Sequence, residues 1–421
     1  MKALVIAEKP SVAMALASVL GARTRKDGYV EGNGYIVSWC VGHLVGLCDA
    51  SEYDEKYKKW RYEDLPIVPE CWKHKILEGT KKQFGILKKL MRDSKVDEVI
   101  CATDAGREGE LIFRLVYEQA GCKKPMKRLW ISSMEEQAIK DGFASLKDGS
   151  CYDSLYQSAL CRAKADWLVG INASRLFSVL YNQNLKVGRV QTPTLAMIVD
   201  RNQKIKEFTK EKYYMAHIKF DDMDAVTEHF QKKEDADKVA ADCAERMCEV
   251  EKDDVKEKTV RPPKLYDLTT LQREANRMFG YTAQQTLDAV QEMYEQKLVT
   301  YPRTDSQYLT DEMGESTETL IQMLLGKMPY AEGLEYQPDV SKVLNSKKVS
   351  DHHAIIPTME VAKADIGKLK ERNCKILYLI SARVLTATAD PYIYESHKCQ
   401  ITCNYHTFYL NAKKTKQEGF K

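Results

Sequence analysis

The 421-residue chain is 44% hydrophobic and 30% charged, with 21 glycines and 12 prolines, which excludes a collagen-like, low-complexity or disordered chain and leaves room for several domains. Its 64 Lys and Arg against 61 Asp and Glu give a net charge of +3, which neither demands a polyanionic partner nor excludes a local basic groove. No apolar run reaches the roughly 18 residues of a membrane span, and the opening MKALVIAEKP is too short for a signal peptide. The 12 cysteines contain no C-x-x-C pair, which argues against a zinc ribbon and for a reducing compartment; a cytoplasmic protein with no membrane partner is expected.

In chain order, Ala3 to Ala7 reads as a short buried strand, followed after Lys9 and Pro10 by a helix that Ser11 would cap and that places Val12, Leu16 and Leu20 inward. A second unit of the same kind has Val96 to Ala102 as strand, Asp104 to Arg107 as turn, and a helix carrying Leu111, Ile112, Leu115 and Val116. Strand, turn and helix in repetition predict a parallel α/β sheet. Residues 154–208 read as all-helical with a break at Lys186 to Arg189. YYMAHIKF alternates like a strand, and the charged run that follows it reads as the solvated face of a helix up to Pro262-Pro263. Thr269 with Gln272, and Thr282 with Gln285, each have the spacing of a capping box, so two helices separated by Gly280 are predicted before Val299-Thr300-Tyr301. Beyond residue 380 the pattern returns to strands, and the absence of any closure at Gly419-Phe420-Lys421 suggests elements beyond that point.

Glu8 at the end of the first strand, with Asp104 and Glu108 just past the second, are hard oxygen donors at the carboxyl ends of strands, where ligands gather in open α/β sheets. Three such groups converging would suit Mg²⁺. The same spacing also fits Asp104 as a helix cap and Glu108 as an acid favoured by the helix dipole.

ATDAGREGELIF (102–113) with IAEKPSVA near the amino terminus resembles the Toprim domain of type IA DNA topoisomerases, closest to the bacterial topoisomerase III branch. VSWCVGHL (38–45), ADWLVGIN (165–172), VGRVQTPTL (187–195), VTYPRTDS (299–306) and HHAIIPT (352–358) follow in that family's order. The resemblance implies a multidomain α/β plus α fold closed into a toroid. Its Toprim domain would span residues 1–150, with a piece near 38–65 joining the helical domain. An α-helical DNA-binding domain would cover 151–211, and a β-rich arch 212–265 and 380–421, incomplete at the carboxyl end. Residues 266–379 would form a winged-helix-like domain carrying the catalytic tyrosine.

By the same resemblance Tyr301 is the nucleophile that forms a 5′-phosphotyrosyl link. Arg303 and Lys9 supply positive charge at the phosphate, and Glu8 acts as acid and base or as a metal ligand with Asp104 and Glu108. Arg162, Asp166, Arg189, Gln191, His352 and Arg107 contact DNA; His353 is structural. The implied cofactor is Mg²⁺, and the implied partner is a single-stranded segment of underwound duplex, bound by a monomer. In the family's usual D-x-D-x-E the middle acid is here Gly106, which weakens the cation's hold. A phenol with a pKa of about 10 needs its proton removed or a strongly cationic phosphate site to attack. No G-x-x-x-x-G-K-[ST] loop is present, so no nucleotide is expected and strand cleavage would be ATP-independent. The rival readings are a catalytically weak single-stranded DNA-binding protein of the same family and a Toprim nuclease.

Overall fold

A computed structural model describes residues 2–220, 223–333, 337–350 and 352–421. By internal packing the chain divides into two units. The first comprises residues up to Asn202 with Tyr266–Ser306 and Lys347–Leu377, and the second Gln203–Leu265, Gln307–Ser346 and Tyr378–Lys421.

The first unit is built on a seven-stranded sheet. Its strands are β1 (Lys2–Ala7), β2 (Thr24–Lys26), β3 (Tyr29–Gly32), β4 (Tyr35–Trp39), β7 (Val96–Ala102), β8 (Met126–Arg128) and β9 (Lys147–Asp148), in the order β2-β3-β4-β1-β7-β8-β9. A two-stranded ribbon of β5 (Val45–Leu47) and β6 (His74–Ile76) stands apart from it. The four central strands β4, β1, β7 and β8 are parallel, as the repeated strand-turn-helix pattern predicts. Helices α1 (Pro10–Leu20), α2 (Lys81–Arg92), α3 (Arg107–Ala120) and α4 (Glu136–Ala144) accompany the sheet. Leu4, Ile6, Leu87, Val99, Phe113 and Val116 form part of one buried core between sheet and helices. Ser11 is not the cap of α1. Lys9 occupies the cap position and Pro10 the first helical turn, where its missing N–H costs nothing.

Two long helices, α5 (Asp153–Tyr181) and α6 (Gln191–Lys206), follow, separated near the predicted break. Segment 48–67 docks on α5 through the Asn172 side chain, which bonds both N and O of Ile67, and through Trp167 Nε1 donating to the Cys48 carbonyl. Helices α8 (Leu268–Phe279) and α9 (Ala283–Glu295) lead to Tyr301. The Thr282–Gln285 capping box of α9 is present as predicted, whereas α8 is capped by Asp267, whose carboxylate accepts from Thr270 N. Asp outcompetes Thr269 because it lies at the position whose side chain reaches the third N–H of the helix.

The second unit contains an antiparallel sheet of β10 (His217–Phe220), β11 (Met223–Val226), β12 (Glu249–Val260), β13 (Tyr392–Cys403) and β14 (His406–Gln417), in the order β10-β11-β14-β13-β12. Helix α7 (Lys233–Cys243) covers one face through Val239, against Ala225, Ile401, Phe408 and Leu410. Helices α10 (Gly314–Lys327) and α11 (Glu371–Thr388) complete the set. Only the first half of the charged run is helical. Residues 249–260 form strand β12, paired along its whole length with β13. A run alternating Lys and Glu has no apolar period to betray a strand; the ladder to β13 decides it, and β12's edge position tolerates the charge.

Candidate active site

Strands β1 and β7 are parallel neighbours with Ala7 opposite Ala102, so Glu8 and Asp104 leave the sheet at the same end. The Asp104 N–H donates to Glu8 Oε2 at 3.3 Å. Residues 103–109 form a tight turn closed by Thr103 Oγ1 donating to the Gly109 carbonyl at 2.8 Å. Gly109 is required there, because a Cβ at that position would lie 2.1 Å from the Asp104 carbonyl oxygen. Gly106, not Asp104, holds the cap position of α3, so the Asp104 carboxylate is left for other work.

Beneath the turn lies Arg128, fully buried at the end of β8. Its guanidinium donates to the carbonyls of Thr103 and Asp104, both at 2.7 Å, and its Nε pairs with Glu110 Oε2 at 3.0 Å. Glu110 is itself buried and bound by Arg114 at 2.8 Å, so its carboxylate is held between two arginines. Arg114 in turn donates to Asp153 at the start of α5.

Tyr301 reaches this turn from the other side. Its segment is pinned to residues 354–356 by Thr300 N donating to the Ile356 carbonyl and Thr300 Oγ1 to that of Ala354, and the Tyr301 N–H donates to the Ser132 carbonyl at 3.1 Å. The phenol lies against Tyr294 and His352, with ring centroids 5.4 and 4.2 Å away, and donates its O–H to Asp104 Oδ2 at 3.1 Å. Glu8, Lys9, Asp104, Arg107, Glu108, Arg162, Tyr301, Arg303 and His352 line one cavity of about 360 Å³.

The electrostatics follow from burial and crowding. Burial and the neighbouring Asp104 push Glu8 up to about 7, against the opposing pull of Lys9 and Arg303. Asp104 is raised by burial, with Lys9 the largest opposing influence. Tyr301 is held well above the ordinary phenol range by burial and by the two acids. His352 falls to about 4, chiefly by burial, so it is neutral.

The predicted residues do not all converge. Glu108 faces His43 Nε2 at 3.5 Å and Arg162 at 3.9 Å, and its hydrogen bond with His43 lowers its pKa. Among the described residues no three His, Cys, Asp or Glu side chains are grouped to hold a metal. Glu8, Asp104 and Glu108 nevertheless line the same cavity, Glu8 beside Asp104 and Glu108 beside His43. His352 is occupied within the protein. Its Nε2 meets the Ala105 carbonyl, which only accepts, so Nε2 carries the hydrogen and Nδ1 accepts from Ser132 Oγ at 3.0 Å. Its ring also packs against that of Tyr301 at the wall of the cavity. His353 Nδ1 likewise meets a backbone carbonyl, that of Ala354. On α5, Asp166 accepts two bonds from Arg189, at 2.6 and 3.3 Å, and lies 4.0 Å from Arg162. Gln191 opens α6, its side chain folded over Gly188. Arg162 thus lines the cavity, while Asp166, Arg189 and Gln191 continue the polar surface beyond it. Sequence reasoning missed Arg128 and Ser132, which have no motif around them, and gave no role to His43, although it lies within VSWCVGHL.

The chain is similar to known proteins over its whole length. Residues 3–134 match the family model described as Toprim domain, and residues 150–421 the one described as DNA topoisomerase. The curated DNA topoisomerase 3 of Staphylococcus haemolyticus is 40% identical over 430 residues, all of this chain and 60% of that protein. That of Bacillus cereus (strain ATCC 14579) is 43% identical over 441 residues, with 59% of its length covered. The chain spans about 60% of the length of these relatives. The full-length topoisomerase I from Thermotoga maritima shares the fold, with a TM-score of 0.72 at 24% identity over 98% of this chain and 65% of that one. Its model matched over residues 150–421, more than half of the chain, the DNA topoisomerase family is the one to which this protein belongs.

Proposed function

We propose that this chain carries the cleavage and resealing chemistry of an ATP-independent type IA DNA topoisomerase acting on single-stranded DNA. The observation that carries the reading is the hydrogen bond from the Tyr301 hydroxyl to Asp104 in a cavity that also holds Glu8, Lys9 and Arg303. A phenol with so high a pKa attacks only as its proton leaves, and Asp104, itself raised above the usual carboxylate range, is the base in contact with it. The Tyr301 oxygen forms a bond to phosphorus as the bond from phosphorus to the 3′ oxygen breaks. Glu8, poised near 7, gives that oxygen a proton. Arg303 and Lys9 stabilise the charge that builds on the phosphate, Arg303 through its two-pronged donor geometry. The reverse sequence reseals the strand, so the phosphodiester energy is kept in the phosphotyrosyl ester and no ATP is needed.

Glu8 and Asp104 are two hard oxygen donors side by side, Asp104 raising the pKa of Glu8 and burial raising that of both, a donor set that suits Mg²⁺, which takes one or two carboxylates and keeps its waters. When bound, the ion would neutralise the acids and phosphate that must approach each other. Gly106 has an extended backbone and open space around its missing Cβ, so a carboxylate fits there. Gly106→Asp is expected to lower the Mg²⁺ concentration for half-maximal resealing; an unchanged requirement would mean that residue 106 does not face the ion. We further propose that the chain works as a cytoplasmic monomer without bound nucleotide, with Arg107, Arg162, Arg189 and Gln191 along the strand and Asp166 orienting the two arginines of the helical region. No helix among the described residues is long and apolar enough to cross a membrane.

The test is a single-stranded oligonucleotide labelled at one end and incubated with and without Mg²⁺, with no ATP. Cleavage with a covalent protein–DNA adduct, followed by resealing when Mg²⁺ is present, supports the topoisomerase. Cleavage with free ends selects a nuclease, and binding alone a catalytically weak DNA-binding protein.

A further inference from the structure

The long ribbon β12–β13–β14 of the second unit separates its charges by face. Residues opposite one another in an antiparallel ladder share a face. Between the Lys252–Gln400 and Val260–Tyr392 pairs, one face carries Lys252, Lys256 and Lys258 from β12, Lys398 from β13 and Lys413 from β14. Asp254, 3.9 Å from Lys252, is the acid among them, and Glu251 at the bulge below reaches Gln400. The opposite face holds Glu257 and Glu395, both paired with Lys416, Lys414 across the ladder from Glu395, and Asp253, paired with His397, so its lysines are matched by acids. Helix α7 and the apolar core lie on that second face, leaving the lysine face uncovered within the unit.

Aromatic rings share the lysine face. Tyr392 and Tyr394 stack with centroids 5.2 Å apart, Lys421 Nζ lies 3.9 Å from the first ring and Lys413 Nζ 5.3 Å from the second. Farther along, Lys252, Lys398, Gln400, Tyr409 and Asn411 line a shallow groove of about 350 Å³. Lysines on an edge strand also deter unwanted strand pairing. That explanation covers β12 but not Lys398 on the central β13, nor the exclusion of most acids to the other face.

We propose that this face of the β12–β13–β14 ribbon binds a segment of single-stranded DNA, its phosphates held by Lys256, Lys258 and Lys398 and its bases stacked on Tyr392, Tyr394 and Tyr409. Cations interleaved with aromatic rings on an open sheet are the general solution for holding a single strand without reading its sequence. The surface uses no residue of the Tyr301 site. The proposal rests on the reading above only in taking DNA as the substrate.

The experiment uses the full chain and a single-stranded oligodeoxynucleotide carrying 5-iodouracil. Irradiation should crosslink it to peptides containing Tyr392 or Tyr394. The triple variant Lys256→Glu, Lys258→Glu, Lys398→Glu, all at exposed positions, should lose those crosslinks, and its slope of log affinity against log salt should shrink by about 2, at roughly 0.7 per phosphate released. Adduct formation at Tyr301 on a short oligonucleotide should persist in the variant. Absence of ribbon crosslinks in the unmodified chain while that adduct forms would overturn the proposal and leave the proposed function standing; crosslinks without an adduct would do the reverse. Equal competition by blunt duplex or by polyglutamate would also overturn it, since either would mark a general polyanion surface.

Discussion

Tyr301→Phe is expected to reduce covalent capture of DNA to background while leaving binding of the same strand unchanged. The substitution removes one oxygen and keeps the ring that packs between Tyr294 and His352, so the cavity walls stay in place. What disappears is the atom that would bond to phosphorus and its hydrogen bond to the Asp104 carboxylate, a contact worth about 1.5–3 kcal/mol at most to stability. Loss of chemistry with little loss of fold is therefore the signature. Denaturant-trapped adducts on a labelled oligonucleotide, read beside a binding titration, measure both halves. A surviving adduct would place the nucleophile elsewhere, and weakened binding would mean that the hydroxyl holds DNA rather than attacking it.

Arg128→Met is expected to destabilise the first unit by about 3–5 kcal/mol, because removing one partner of a buried ion pair leaves the other charge uncompensated. The methionine matches much of the volume, but Glu110 would keep only Arg114, and the carbonyls of Thr103, which is buried, and of Asp104 would lose a donor. Arg128→Lys should recover part of the stability and little of the activity, since an ammonium cannot hold two turn carbonyls and a carboxylate in one plane. All five tryptophans, Trp39, Trp60, Trp72, Trp130 and Trp167, belong to the first unit, so their fluorescence in a urea titration follows that unit alone. A midpoint unchanged by the substitution would show that the Glu110–Arg114 pair suffices. Lost adduct formation with an unchanged midpoint would assign Arg128 to the chemistry rather than to the turn.

The difference between these two residues marks what the sequence discloses. Tyr301 and Arg303 lie in one contiguous string, and Glu8 and Lys9 in another, so a linear reading reaches them. Arg128 is an ordinary arginine until β8 is laid beside β7 and its side chain slides under the 103–109 turn. Tertiary contact also sets the partners of Glu108. It lies in the first turn of α3, and His43, brought near by the segment after β4, pairs with it. The same holds for His352, whose two ring nitrogens are consumed by Ala105 and Ser132, partners more than 200 residues distant in the chain. The parallel sheet was legible because β1 and β7 end in apolar runs, ALVIA and VICA, followed by turn residues. Strand β12 was not, because its fold is written in its pairing with β13 rather than in its own composition.

The most direct measurement is to trap the adduct with denaturant, digest protein and DNA, and identify the modified peptide and the linked nucleotide by mass spectrometry. The account predicts a single peptide containing Tyr301, its phenolic oxygen joined to the 5′ phosphate of the downstream fragment, with the upstream fragment released bearing a free 3′-hydroxyl. A 3′-phosphate linkage, or attachment through any other residue, would contradict it.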